Sequence, residues 1–239
     1  AGDDAVGGAL RTSFAGWIKI NHCHFRRNMA QTNGGALYLN GDEINVNNCR
    51  FTLNQANRGG AIAVNYGVKG NLNNCIIAGN KAWTIGGAYY SFTAIGSLIN
   101  NIFSNNLAAQ SGGALYLDLS DETYYGNIIV NNTSQNAGGA IYLKSASPVM
   151  INNTIANNRA QWTGGLDFNG LSYAKIYNTI IFGNYSIGTA GFSQMAFVDA
   201  STQPNFYNCD IMGGLAGVYN PSGAYAGDYL NNIDVNPQV

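Results

Sequence analysis

The residues best suited to acid–base chemistry in this 239-residue chain are a cluster, Asp118, Asp121 and Glu122, and a lone Asp167 set among apolar neighbours. Cleaving a polysaccharide takes two or three carboxylates, or carboxylates with Arg or Lys, gathered on one face. Asp118 stands six residues after the first glycine of its turn, and Lys144 six after the next such glycine. The two are expected to be vertical neighbours, an exposed ion pair worth under about 1 kcal/mol. Asp167 takes a place where an inward Leu or Ile is expected, with Asn169 where another Leu belongs. Either the core loosens there or that stretch is re-aimed. His22, Cys23 and His24 alternate faces, do not converge on one ion, and predict no metal site; no residue set points to a cofactor.

Two further sets have the spacing of a contact surface. Tyr38, Tyr90, Tyr116, Tyr142 and Phe168 fall on one predicted outward stripe. Aromatic faces one strand apart either receive sugar rings or protein side chains, or pack on one another. Ile76, Ile102, Ile128 and Ile180, with Val130 and Phe182 two positions after the last pair, are also expected to face outward. An apolar outward face marks a covered or contact surface. It is expected to meet another protein or a neighbouring solenoid, and the aromatic stripe to meet protein or glycan.

What positions these residues is a repeat. A Gly-Gly-Ala signature or a near relative begins at Gly7, Gly34, Gly59, Gly86, Gly112, Gly138 and Gly164, at spacings of 25 to 27. An apolar residue three before an Asn is stricter, and its Asn recurs every 26 residues from Asn28 to Asn184. Such a period means stacked supersecondary units. Each unit reads as three extended pieces. The first alternates, as in Ala36-Leu37-Tyr38-Leu39, with the leucines on one face. The second carries an apolar column from Ile20 through Val46 and Leu72 to Phe206, and the third one from Phe25 through Phe51 and Ile77 to Ile211. Three columns of constant phase predict an all-β fold, a parallel β-helix of one chain with three sheets. About nine rungs at about 4.8 Å would give a rod roughly 43 Å long. Residues 1–239 read as one domain, regular over 7–184 and divergent over 185–239, where the glycine signature erodes to Ala190-Gly191 and Ala216-Gly217. The absence of a recognisable capping helix at either end suggests a fragment of a longer solenoid.

Composition agrees. Only 10 % of residues are charged, whereas Asn numbers 35 and Gly 31. Neutral side chains stack on copies of themselves without repulsion. A left-handed turn holding His22, Asn48, Asn74, Asn100, Asn152, Asn178 and Asn208, with Gly126 in the same column, is expected to carry a hydrogen-bonded amide ladder. The column from Asn28 to Asn184 predicts a second. Cys23, Cys49, Cys75 and Cys209 share one position with Asn101, Asn127, Asn153 and Thr179, which suits small buried side chains. Parallel Cβ vectors at strand spacing are poorly placed for disulfides. A net charge of −1 without a basic stripe argues against nucleic acid, and no apolar run is long enough to span a membrane.

Gly34-Gly35-Ala36-Leu37 with Phe51-Thr52-Leu53-Asn54, and Gly112-Gly113-Ala114-Leu115 with Phe103-Ser104-Asn105-Asn106, resemble the repeat of the chlamydial polymorphic outer-membrane proteins and related bacterial surface β-helices. Asn232-Ile233-Asp234-Val235-Asn236-Pro237 is similar to the closing segment of secreted bacterial β-helices. The resemblance implies a right-handed β-helix that is adhesin-like or architectural, extracellular or on the bacterial outer surface, and favours a non-catalytic role. The alternative is a carbohydrate-active β-helix, a polysaccharide lyase or glycosidase, with catalytic residues outside this fragment or near Asp118 and Asp167.

Overall fold

The computed structural model describes residues 6–13, 16–41, 43–188, 194–223 and 225–237. Ala190-Gly191, one of the eroded turns, lies outside the described residues. The chain winds as a parallel β-solenoid of about eight turns, and every strand pairs in parallel with its equivalent one coil away. Successive strands of one coil are Leu37–Asn40, Glu43–Asn47, Arg50–Thr52 and Gln55–Arg58. Stacking of these four gives first to fourth sheets of eight, nine, eight and six strands among the described residues.

The fourth sheet corrects the expectation of three. Its inward position is filled by Ala56, Ala82, Ala108, Ser134 and Ala160, all fully buried. A column of methyls and hydroxymethyls carries almost no hydropathy contrast, so three larger columns masked it. Those three hold as read. Val46, Leu72 and Leu98 are in register on the second sheet, and Phe51, Ile77 and Phe103 on the third. With the inward Leu37 and Leu39 of the first sheet and their equivalents they form one continuous core along the solenoid.

The glycine pair closes the corner between fourth and first sheets. Gly34 has φ +64°, and a Cβ on Gly35 would lie 2.1 Å from the Gly60 carbonyl oxygen. No larger residue fits where coils approach so closely. At Gly164-Gly165-Leu166 the alanine of the Gly-Gly-Ala signature is missing, and the register advances by one. Leu166 pairs with Ile141, Asp167 with Tyr142, and Phe168 with Leu143. Asp167 therefore faces outward, not into the core, and Phe168 is fully buried inside.

The amide ladders run one residue later than expected in the first turn. His22, Asn48, Asn74 and Asn100 do have left-handed backbones, φ 54–55°, but their side chains are exposed. After Asn48, Asn74 and Asn100 the next residue is the buried one instead. Asn101 Oδ1 accepts from the Cys75 N–H at 2.9 Å, and its Nδ2 donates to the Leu72 carbonyl at 2.8 Å and to Asn127 Oδ1 at 3.0 Å. Cys75 makes the same pair of contacts through sulfur, accepting from Cys49 N–H and donating to the Val46 carbonyl. Sulfur here stands in for the amide, and all four cysteines are free thiols. The second ladder, Asn54, Asn80, Asn106, Asn132 and Asn158, is continuous, each buried amide donating to the next at 2.9–3.0 Å.

Past Asn184 the ladder ends on Gln194, whose Oε1 accepts from the Asn184 amide at 3.0 Å. A partial last turn follows, with Tyr229–Leu230 joining the second sheet beside Phe206–Tyr207.

Candidate functional site

The outward face of the first sheet carries two columns. One runs Arg11, Tyr38, Ala63, Tyr90, Tyr116, Tyr142, Asp167. The other, two residues on, includes Asn40, Asn65, Phe92, Asp118, Lys144 and Asn169. The structure thus brings Tyr38, Tyr90, Tyr116 and Tyr142 together as expected, and removes Phe168 from the set. The rings are not open platforms. Tyr116 stacks on Tyr142 with centroids 4.9 Å apart and leans on Tyr90 at 6.0 Å. Tyr38, Tyr90 and Tyr116 are buried, packed with Ile85 and Phe92 into a second small core outside the sheet. Burial pushes the Tyr116 phenol above its ordinary range.

A cavity opens beside each end of this stack. Near the first, of about 420 Å³, the missing ring at Ala63 leaves a gap lined by Tyr38, Asn65, Tyr66, Tyr90, Arg11 and Arg58. Arg11 lies 6.0 Å from the Tyr38 centroid and Arg58 5.8 Å from that of Tyr90, cation–π geometry. Asn65 donates to Tyr38 Oη at 3.0 Å, but its buried Oδ1 has no partner. The second cavity, about 380 Å³, is lined by Tyr142, Trp162, Thr163, Asp167, Asn169 and Tyr219 among others. Thr163 Oγ1 donates to Asp167 Oδ2 at 2.9 Å, and Oδ1 is buried without a partner. Burial pushes the Asp167 carboxyl up to about 6, against the opposing Thr163 hydrogen bond.

The other acidic residues do not converge. Asp118 pairs with Lys144 at 3.2 Å, as expected from spacing. Asp121 accepts from the Ser147 N–H at 2.8 Å on the surface. Glu122 lies inside the solenoid, fully buried, with Tyr89, Ser91 and Tyr124 hydroxyls donating to it. Burial raises its carboxyl above the ordinary value, the three hydroxyls opposing. Among the described residues no group of three or more His, Cys, Asp or Glu is arranged to hold a metal ion. His22, Cys23 and His24 are exposed, and His24 Nε2 lies 2.9 Å from Thr52 Oγ1.

On the third sheet Ile76, Ile102, Ile128 and Ile180 share one outward column, with Thr154 interrupting before Ile180. Ile102 and Ile128 are exposed, and Val130 and Phe182 half-buried in the next column. No helix is long and apolar enough to cross a membrane among the described residues.

Sequence reading missed Asn65, Arg58, Trp162 and the outward direction of Asp167. The last was signalled by the lost alanine after Gly164-Gly165. Trp162 lies in the corner before the glycines and Arg58 at the end of the fourth-sheet strand that leads into it, where no apolar column marks either.

No curated protein and no solved structure gives a significant match to this chain. A family model described as "Right handed beta helix region" matches residues 8–160 and 93–233, overlapping spans that take in nearly the whole chain. With the described strands stacked in parallel coil upon coil, this match places the chain in the right-handed β-helix family.

Proposed function

We propose that this chain is a contact protein of the bacterial surface or secreted fraction, and that the outer groove of its first sheet binds an extended glycan. The observation that carries the reading is the pairing of aromatic floor with unmet polar atoms. Tyr142, Trp162, Tyr38 and Tyr66 flank two cavities on one sheet face, and each is lined by a residue with a buried, unpartnered acceptor, Asn65 Oδ1 or Asp167 Oδ1. Sugar hydroxyls satisfy such acceptors while ring faces cover aromatic ones; apolar walls with a few placed polar groups are the usual form of a ligand site. The repeat resemblance supports the surface or secreted setting.

Binding is favoured over cleavage by the count of carboxylates. Glycoside hydrolysis takes a pair flanking the scissile bond. Asp167 is the single carboxylate lining its cavity among the described residues, and Asp118, at the other, is tied to Lys144.

The test is a panel of neutral, acidic and amino polysaccharides, measured for both binding and turnover. Trp162 is half exposed, so Trp162→Ala is expected to leave the melting temperature within a few degrees and weaken the best-bound glycan at least about tenfold. Unchanged affinity, or turnover by the isolated chain, would contradict the reading.

A further inference from the structure

The cavity at Asp167 asks for a particular chemistry. Asp167 lines it, 3 % exposed, with one carboxylate oxygen holding a hydrogen bond from Thr163 and the other, Oδ1, buried without a partner. A buried ionised carboxylate with an unmet oxygen is costly unless a cation or several donors face it. No Lys or Arg lines the cavity among the described residues, and the nearest lysine along the sheet face, Lys144, is committed to Asp118. Tyr142, on the adjacent coil, is pushed up to about 12 by burial and then by Asp167, Asp118 and Asp199 around it. The remaining walls are the aromatic rings of Tyr142, Trp162 and Tyr219. Ring faces attract cations, and more strongly where water is excluded.

We propose that this cavity is a binding site for an ammonium group, and that on a glycan the group it takes is the free amine of an amino sugar. The inference rests on the glycan reading for the polymer that carries the amine, not for the amine itself. The ammonium donates to Asp167 Oδ1, neutralises the carboxylate and lies against the Trp162 and Tyr142 rings. A neutral hydroxyl makes the hydrogen bond and leaves the charge unmet. An acetylated amine offers one N–H and no charge, and an anion is repelled. A hard metal ion is a poorer fit, since one carboxylate gives too few oxygen ligands.

Glucosamine, N-acetylglucosamine and glucose share a ring and differ at one position, so they isolate the charge. Titration calorimetry near neutral pH, where Asp167 is ionised, is expected to show glucosamine binding about tenfold tighter than either neutral sugar. Asp167→Asn keeps the shape and is expected to abolish that preference. Should it fail to fold, Trp162→Ala with its exposed side chain is expected to reduce the preference instead. Equal binding of the three sugars, no glucosamine binding in the millimolar range, or a preference that survives Asp167→Asn would overturn the proposal. Glycan binding that depends on Trp162 without amine preference defeats this inference and leaves the groove reading standing. Amine preference without binding of any polymer does the reverse.

Discussion

Asp167 shows how one deletion changes what a residue is for. A single missing alanine moves a carboxylate from an expected core position to the outward column, in line with four tyrosines. Its burial raises the carboxyl to about 6. A group whose folded value lies above its unfolded one contributes stability fully present below the unfolded value and lost as pH climbs through the folded one. Glu122, raised in the core by burial, acts with the same sign. Asp199 has the opposite sign: burial is outweighed by hydrogen bonds from Ser201, Gly170 and Thr202, so its contribution is lost on acidification. It is more solvated, and its effect is smaller. Of the nearby charged groups on this sheet, Lys144 is on the adjacent strand and Asp118 on the one beyond it, and the two are paired with each other. Ligand-free protein is therefore expected to lose stability between about pH 4 and pH 7 through Asp167, by up to about 3 kcal/mol. Asp167→Asn should raise the melting temperature near pH 7.5 and change it little near pH 4, which a thermal melt series reads directly. A wild-type advantage at the higher pH would contradict this assignment.

At the scale of the element, the coil is set by two turns of the same design. In each, a residue with left-handed backbone is followed by one whose side chain turns inward to serve the coil on either side. Asn105 and Asn106 show it in the second ladder, and Asn100 and Asn101 in the first. Asn106→Leu would orphan the Asn80 N–H and the Ile77 carbonyl, both buried partners. Its expected cost is about 3 kcal/mol or more, whereas Asn74→Ala, exposed at φ 54°, should cost about 1–2 kcal/mol. Urea denaturation of both variants checks the order, and a larger loss at Asn74 would refute the ladder's place. Periodicity sufficed for the second and third sheets, because Val46, Leu72 and Phe51, Phe103 are large enough to mark a column. It missed the fourth, where Ala82 and Ala108 mark nothing. It put the first ladder at Asn48 and Asn74, because spacing gives the column's period but not which of two adjacent residues turns inward.

For the whole molecule, the windings divide the surface into long faces of different character. The first-sheet face is a groove with its own small core and two cavities. The third-sheet face carries His24 and Arg50 near the start and Ile76, Ile102 and Ile128 beyond. The period made the family legible and the groove invisible, since groove walls come from residues just before the glycines, such as Trp162 and Arg58, that no apolar column marks. Backbone chemical-shift mapping of the labelled protein with a glucosamine oligomer tests the central claim most directly. Perturbations are expected at Tyr142, Trp162, Asp167 and Asn169, with Ile102 and Ile128 on the third sheet unmoved. Shifts confined to the isoleucine face, or none anywhere at saturating oligomer, would contradict it.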